Sequence, residues 1–177
     1  MIKKAQIMDE QAVNRATARI SHEILERNKG AEGICILGVK RRGVPFAKKI
    51  CQNLKLFEGA VVPFGEIDIT MQRDDIDKEK KQTLVEESVI PFDITGKNVI
   101  IVDDVLYTGR TVKAAIETVF KFGRPKSVQL VVLIDRGHRE LPFRPDYIGK
   151  NLPTAKHEKV AVRFTETDGE TAVYICE

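Results

Sequence analysis

Apolar and polar positions alternate along this chain with two periods, and the switches between them mark out strands and helices. From Asp9 to about Asn28, Val13, Ala16, Thr17, Ile20 and Ile24 recur at helical spacing, with Arg15, Arg19, His22 and Glu26 opposite. Asp9 is placed to cap that helix and Lys29-Gly30 to end it. Ile34 to Val39 reads as a buried strand, and Val44-Pro45 opens a helix that buries Ala47, Ile50, Leu54 and Phe57. Val61 to Ile69, broken by Pro63 and Gly65, predicts an edge or bulged strand. The β-branched run Val99 to Val102 predicts a strand buried on both faces, and Val112, Ala115, Ile116 and Val119 a helix after it. Phe122-Gly123-Arg124-Pro125 ends that helix. Val128 to Ile134, apolar but for Gln129, is another strand, Asp146 to Gly149 a short one, and Lys159–Phe164 with Ala172–Ile175 predict a hairpin around Asp168-Gly169.

Buried strands alternating with helices predict an α/β fold with a mostly parallel sheet and right-handed crossovers. Ligands of such sheets bind beyond the carboxyl ends of the strands. Three strands here end in polar loops: Lys40-Arg41-Arg42-Gly43, Asp103-Asp104 through Thr111, and Asp135-Arg136-Gly137. Parallel strands would bring all three to one rim. The stretch from about 71 to 88, dense in charges of both signs, has little to bury and predicts a hairpin or lid within a single domain spanning 1–177.

At 177 residues the chain is long enough for one well-formed core. A net charge of +3 is too small to imply nucleic-acid binding by itself, so any such face must come from local clustering. No apolar run is long enough to span a bilayer, and Met1 to Met8, followed at once by Asp9-Glu10, lacks the pattern of a signal peptide. The expectation is a cytoplasmic protein with neither a DNA nor a membrane partner. Cys35, Cys51 and Cys176 have no metal-ligand spacing and are expected to be small buried hydrophobes.

Val102-Asp103-Asp104-Val105-Leu106-Tyr107-Thr108-Gly109-Arg110-Thr111 carries the clearest chemistry. Two carboxylates at a strand end can accept hydrogen bonds from vicinal hydroxyls or stand near magnesium. The turn and the first helical residues offer backbone N–H groups and hydroxyls to a phosphate. A phosphorylated ribose has both features; the competing reading is a solvated acidic pair followed by an ordinary helix cap.

This stretch resembles the phosphoribosyl-pyrophosphate (PRPP) motif of the type I phosphoribosyltransferases. Asp9-Glu10-Gln11-Ala12, Glu26-Arg27-Asn28-Lys29-Gly30, Gly65-Glu66-Ile67-Asp68-Ile69-Thr70, Arg73-Asp74-Asp75, Asp135 to Pro142 and Asp146 to Asn151 resemble one branch, the bacterial pyrimidine-operon attenuation regulators that are also uracil phosphoribosyltransferases. The likeness spans nearly the whole chain. It implies the type I fold, with a flexible hairpin loop over about 71–88 and a small hood over about 135–177. It implies the reaction of uracil with PRPP and Mg²⁺ to give UMP and pyrophosphate, and UMP-dependent binding of a pyrimidine-operon leader mRNA. A homodimer, able to assemble further into a hexamer, is implied as well.

By that resemblance Asp103 and Asp104 hold the ribose, with catalysis shared by Arg73 in the lid. Thr108, Gly109, Arg110 and Thr111 wrap the 5′-phosphate. Lys40, Arg41, Arg42 and Gly43 form the pyrophosphate loop, which in this superfamily often contains a cis peptide without proline. Arg136, Tyr147 and Ile148 border uracil; no general base is assigned. Arg19, His22, Arg27, His138, Arg139, Arg144 and Lys150 are the RNA-face candidates, with loss of Arg19 or Arg139 expected to weaken RNA binding while turnover survives. The chain departs from the family in having Gln72 where an aromatic usually precedes the lid arginine, and Ala18 where Thr usually precedes the helix arginine. Two rivals are an enzyme without the regulatory role, acting on uracil or a 6-oxopurine, and a nucleotide-sensing RNA binder that no longer catalyses.

Overall fold

The computed structural model of the chain describes residues 2–72 and 87–177, so the lid arginine, Arg73, lies outside the described residues. Its elements in order are β1 (Lys3–Met8), α1 (Glu10–Asn28), β2 (Ile34–Val39), α2 (Gly43–Glu58), β3 (Phe64–Ile67), a 3₁₀ turn (Thr70–Gln72), β4 (Asn98–Leu106), α3 (Arg110–Phe122), β5 (Ser127–Asp135), β6 (Tyr147–Asn151), β7 (Lys159–Arg163), a one-turn α4 (Thr165–Asp168) and β8 (Ala172–Cys176). No helix among the described residues is long and apolar enough to cross a membrane.

The main sheet has five parallel strands in the order β3-β2-β4-β5-β6. Ile34–Leu37, Val99–Val102 and Leu130–Ile134, the middles of its central strands, are apolar without a break because both faces are covered. Ile34 and Ile36 of β2, Ile100 and Val102 of β4 and Val131 of β5 pack with Ile20, Ile24, Phe46 and Ile50 from α1 and α2. Cys35, Leu37, Val99, Ile101 and Val132, one residue out of phase, pack with Val112, Ala115 and Val119 from α3. The α1 stripe read from the sequence is buried, and Asp9 accepts the Ala12 N–H at 2.8 Å as its cap. Lys29 takes the left-handed conformation that ends the helix. Phe57, expected in the core, is only half-buried because it stacks on His22.

A second, antiparallel sheet in the order β1-β8-β7 makes the hood. It therefore draws on both ends of the chain. The range expected for the hood, 135–177, also contains β6, which belongs to the main sheet. β7 and β8 do pair as predicted, with α4 and Gly169 between them. β3 is the edge strand its Pro and Gly foretold, and Glu66 and Val89 exchange N–H···O bonds of 2.8 Å along its outer side.

One close approach fixes the functional rim. A Cβ on Gly43, the first residue of α2, would collide with the Val102 carbonyl oxygen and lie 3.2 Å from the Asp103 Cα. Only a hydrogen there lets the basic loop turn directly against the end of β4. Gly43→Ala is expected to destabilise the fold by about 1–3 kcal/mol, as overpacking does. A calorimetric scan should place its thermal midpoint several degrees below that of the parent.

Candidate active site and RNA-facing edge

β2 pairs with β4 only as far as Gly38 opposite Val102, whereas the pairing of β4 with β5 continues to Leu106 opposite Asp135. Where β2 stops, a crevice opens beside the last residues of β4. Val39, Lys40, Arg41, Arg42, Ile69, Asp103, Asp104, Val105 and Thr111 line this cavity of about 260 Å³. The basic loop and the acidic pair, 63 positions apart in the chain, thus face each other. The Lys40–Arg41 peptide bond is cis.

Within the crevice Asp103 is buried, and one of its oxygens accepts the Asp104 N–H at 2.9 Å. Burial pushes the half-buried Asp104 carboxyl above the usual carboxylate range, against the opposing pull of the Asp103 side chain and the Arg42 guanidinium. Arg42 is held by an ion pair of 2.9 Å to Asp168 of α4, which ties the loop to the hood. Lys40 donates to the Glu87 carbonyl at 2.8 Å.

An adjoining cavity of about 310 Å³ is lined by Val105, Leu106, Tyr107, Thr108, Gly109, Arg110 and Thr111, with Glu140 from the third loop. Gly109 takes φ +95° at the start of α3 and supplies no side-chain cap. The Arg110 N–H turns back to Thr108 Oγ1 at 3.4 Å, and a helix start of this kind is suited to an anion. The Arg110 Nε donates to the Glu140 carboxylate at 2.9 Å, so an internal anion holds the guanidinium at the cradle. Sequence reading passed over Glu140, because a carboxylate is not the residue one seeks beside a phosphate.

The third loop is bonded to this cradle along its length. Arg136 N–H donates to the Leu106 carbonyl at 3.1 Å, and Glu140 and Leu141 N–H groups both donate to the Thr108 carbonyl at 2.9 Å. Arg139 spends its guanidinium on the Tyr107 carbonyl (3.0 Å), the Phe143 carbonyl (2.8 Å) and the Asp135 carboxylate (2.5 Å). This half-buried side chain is a brace between loops, not a free RNA contact. His138 bonds the Thr154 carbonyl through Nε2 at 2.5 Å.

Two of the uracil candidates also have internal work. Arg136 is buried, donates to Thr154 Oγ1 (3.0 Å) and the Glu158 carbonyl (2.8 Å), and lies 4.0 Å over the Tyr107 ring. The buried Tyr147 hydroxyl donates to Gln129 at 2.6 Å, on the side of the sheet covered by α1. Their polar atoms are spent on these internal partners. Ile148, half-buried, packs in the apolar layer on the α3 face.

The remaining RNA candidates divide. Arg19 donates to the Ile148 and Gly149 carbonyls at 3.0 and 2.8 Å, hooking α1 onto the outer strand of the sheet. Arg27 pairs with Asp146 at 2.6 Å just ahead of that strand. Lys150 lines a surface cavity with Arg15 and Arg19, and Arg144 is exposed before β6. Arg19, Arg27, Arg144 and Lys150 therefore gather along β6. His22 stands apart, its ring stacked on Phe57 of α2 at 4.0 Å between centroids.

The other titratable groups read as structural. The thiols of Cys35 and Cys51 are pushed up by burial to about 11 and about 12, which keeps them protonated. His157, Glu158 and Glu177 meet at the surface, but the Lys4 ammonium already pairs with both carboxylates, at 2.7 and 3.1 Å.

Comparison with known proteins places this geometry. Residues 4–166 match the phosphoribosyl transferase domain. The chain is 52% identical to Bifunctional protein PyrR of Clostridioides difficile over the full length of both. It is 54% identical to the same protein of Deinococcus radiodurans, covering 96% of this chain and 93% of that one. Among solved structures, the hypoxanthine phosphoribosyltransferase of Trypanosoma cruzi superposes with a TM-score of 0.76 at 20% identity, covering 99% of this chain and 96% of that one. A hypoxanthine-guanine phosphoribosyltransferase of Bacillus anthracis gives 0.73 at 19% identity, covering 99% of each. At that identity these two speak for the fold alone. A crevice built at the end of β4, an adjoining cavity at the start of α3 and more than half of all residues shared over the full length lead to one conclusion: the chain belongs to the phosphoribosyl transferase domain family and, within it, to the bifunctional PyrR proteins.

Proposed function

We propose that this protein is a UMP-dependent RNA-binding regulator of pyrimidine-operon transcription that also converts uracil and PRPP to UMP and pyrophosphate. The observation that carries the catalytic half is the crevice in which Lys40, Arg41 and Arg42 face Asp103, Asp104 and Thr111. In the reaction a uracil nitrogen bonds to the anomeric carbon as the bond from that carbon to the diphosphate oxygen breaks. The diphosphate leaves with the electron pair, and the ring nitrogen loses its proton. Positive charge builds on the sugar, where Asp103 and Asp104 stabilise it more than they do the ground state. Negative charge builds on the diphosphate, beside the basic loop. The cradle of Thr108 to Thr111 holds the 5′-phosphate and thereby the sugar's orientation.

Two carboxylates, a hydroxyl and three cationic residues suit a diphosphate that arrives with Mg²⁺, a cation that prefers oxygen donors and keeps much of its coordination to substrate and water. Bound with PRPP, Mg²⁺ would neutralise charge on the leaving group. The acidic pair stands beside that position, and no side chain is assigned as a direct ligand. Arg73 remains the lid candidate. A cytoplasmic homodimer that assembles further into a hexamer completes the proposal.

The regulatory half draws on Arg19, Arg27, Arg144 and Lys150 along β6, where phosphate contacts would supply affinity. The uncatalytic rival is disfavoured by the intact acidic pair and basic loop. Purified protein with PRPP and Mg²⁺ is expected to make UMP from uracil and no IMP from hypoxanthine. Filter binding to a pyrimidine leader RNA is expected to tighten when UMP is added. IMP formation would move the protein to the purine enzymes, and indifference to UMP would remove the regulatory role.

Asp104 yields a prediction with a sign. Its folded carboxyl titrates above its unfolded range, so between the two the fold holds a proton more tightly and stability falls as pH climbs through that window. Asp104→Asn should therefore melt higher than the parent at pH 8 and close to it at pH 4, while uracil turnover drops about 10–100-fold. Arg139→Ala, which leaves Asp135 and two carbonyls without their donor, should raise the KM for PRPP about tenfold, the scale of losing charged hydrogen bonds. Steady-state kinetics checks both, and an unchanged KM would return Arg139 to the RNA face alone.

A further inference from the structure

The α3 face of the main sheet carries a second recess, next to β6. It is a cavity of about 500 Å³ lined by Pro142, Phe143, Pro145 and Ile148, with the exposed Arg144 and the ion-paired Arg139 and Asp135. It shares no lining residue with the crevice or the phosphate cradle. Its walls are flat and held in place. Phe143 N–H donates to the Leu141 carbonyl at 2.9 Å, its own carbonyl accepts from Arg139, and Ile148 is fixed in β6. Arg144 is exposed and ends no hydrogen bond or ion pair among the described residues.

An aromatic ring, two prolines and a free planar guanidinium are what a splayed-out base stacks on, and unpaired bases are how proteins read RNA sequence. The surroundings favour a polyanion over an apolar partner. Arg15, Arg19, Arg27, Arg144 and Lys150 flank β6 against the acidic Glu23 and Asp146, each of which is already paired with one of those arginines. We propose that the recess between Phe143 and Ile148 receives one unpaired nucleobase of the RNA whose phosphates run along β6. The proposal rests on the RNA-binding reading above. Arg139, bonded at once to Phe143 and to the Tyr107 carbonyl of the sugar-phosphate loop, makes the recess sensitive to what that loop holds.

The test is filter binding, with UMP present, of a leader RNA in which each unpaired nucleotide is replaced in turn by an abasic one. The proteins are wild type, Phe143→Leu and Arg144→Gln, each checked for folding by circular dichroism. One abasic position is expected to weaken wild-type binding about tenfold or more. Phe143→Leu should weaken the intact RNA to a similar degree, and the two losses should not multiply when combined. Arg144→Gln should cost severalfold and lessen the salt dependence. Losses that multiply, or variants that bind as wild type does, would overturn the recess as a base receptor while leaving RNA binding in place. Should Phe143→Leu fail to fold, Arg144→Gln decides alone, since its side chain bonds to nothing among the described residues: unchanged affinity refutes the proposal. Wild-type protein that makes UMP yet binds no leader RNA would remove the regulatory reading and the recess with it.

Discussion

β4 is the strand on which the site depends, because it is buried on both faces and paired on both edges. Val99 and Ile101 belong to the α3 layer, Ile100 and Val102 to the layer of α1 and α2. A slip of one residue would exchange these sets and turn each toward the wrong layer, so the register has no close competitor. That register sets where the chain leaves full pairing. β2 ends opposite Val102 and β5 continues to Asp135, so Asp103 to Leu106 are paired along one edge only. The acidic pair is placed in a crevice by the unequal lengths of its neighbours.

The crevice is then stiffened by charges that the protein uses on itself. Arg42 reaches Asp168, Arg110 reaches Glu140, Arg139 reaches the Tyr107 carbonyl, and Arg136 donates to three residues of the 152–158 connection. The exposed one among them, Arg110–Glu140, contributes little to stability. Their effect here is positional: each joins a loop at the rim to another loop or to the hood. A phosphate arriving at Arg110 meets a guanidinium already aimed, and Glu140 is the anion it would displace.

Much of this arrangement is legible in the sequence, for a physical reason. Doubly buried strands must be apolar through their middles, so Ile34–Val39, Val99–Val102 and Val128–Ile134 announce themselves, and parallel order then brings their loops together. β1 escapes that logic. Only Met8 of its six residues is buried, so Lys3 to Ile7 have no apolar period to read, and only the hood partner β8 makes them a strand. Side-chain direction escapes it too. Arg136, Arg139 and Tyr147 sit in segments that the resemblance picks out, yet their side chains serve carbonyls and an amide contributed by residues up to 32 positions away. A basic residue in a motif looks the same whether it meets a ligand or its own backbone.

The same internal bonds give nucleotide-dependent RNA binding a physical route. Thr108 and Tyr107 carbonyls, at the heart of the phosphate cradle, accept from Glu140, Leu141 and Arg139. That loop runs directly through Arg144 into β6, whose carbonyls hold Arg19 of α1. A nucleotide that fixes the cradle therefore fixes the loop, and with it the cations along the outer strand. Such coupling is reciprocal as a matter of thermodynamics, whatever its size. If UMP tightens RNA by some factor, RNA must tighten UMP by the same factor, so a leader transcript held on β6 would retain the nucleotide that favours its binding. On the proposed function catalysis and regulation would compete for one cradle, since the UMP that orders the RNA edge would also be the product that must leave before another PRPP could enter.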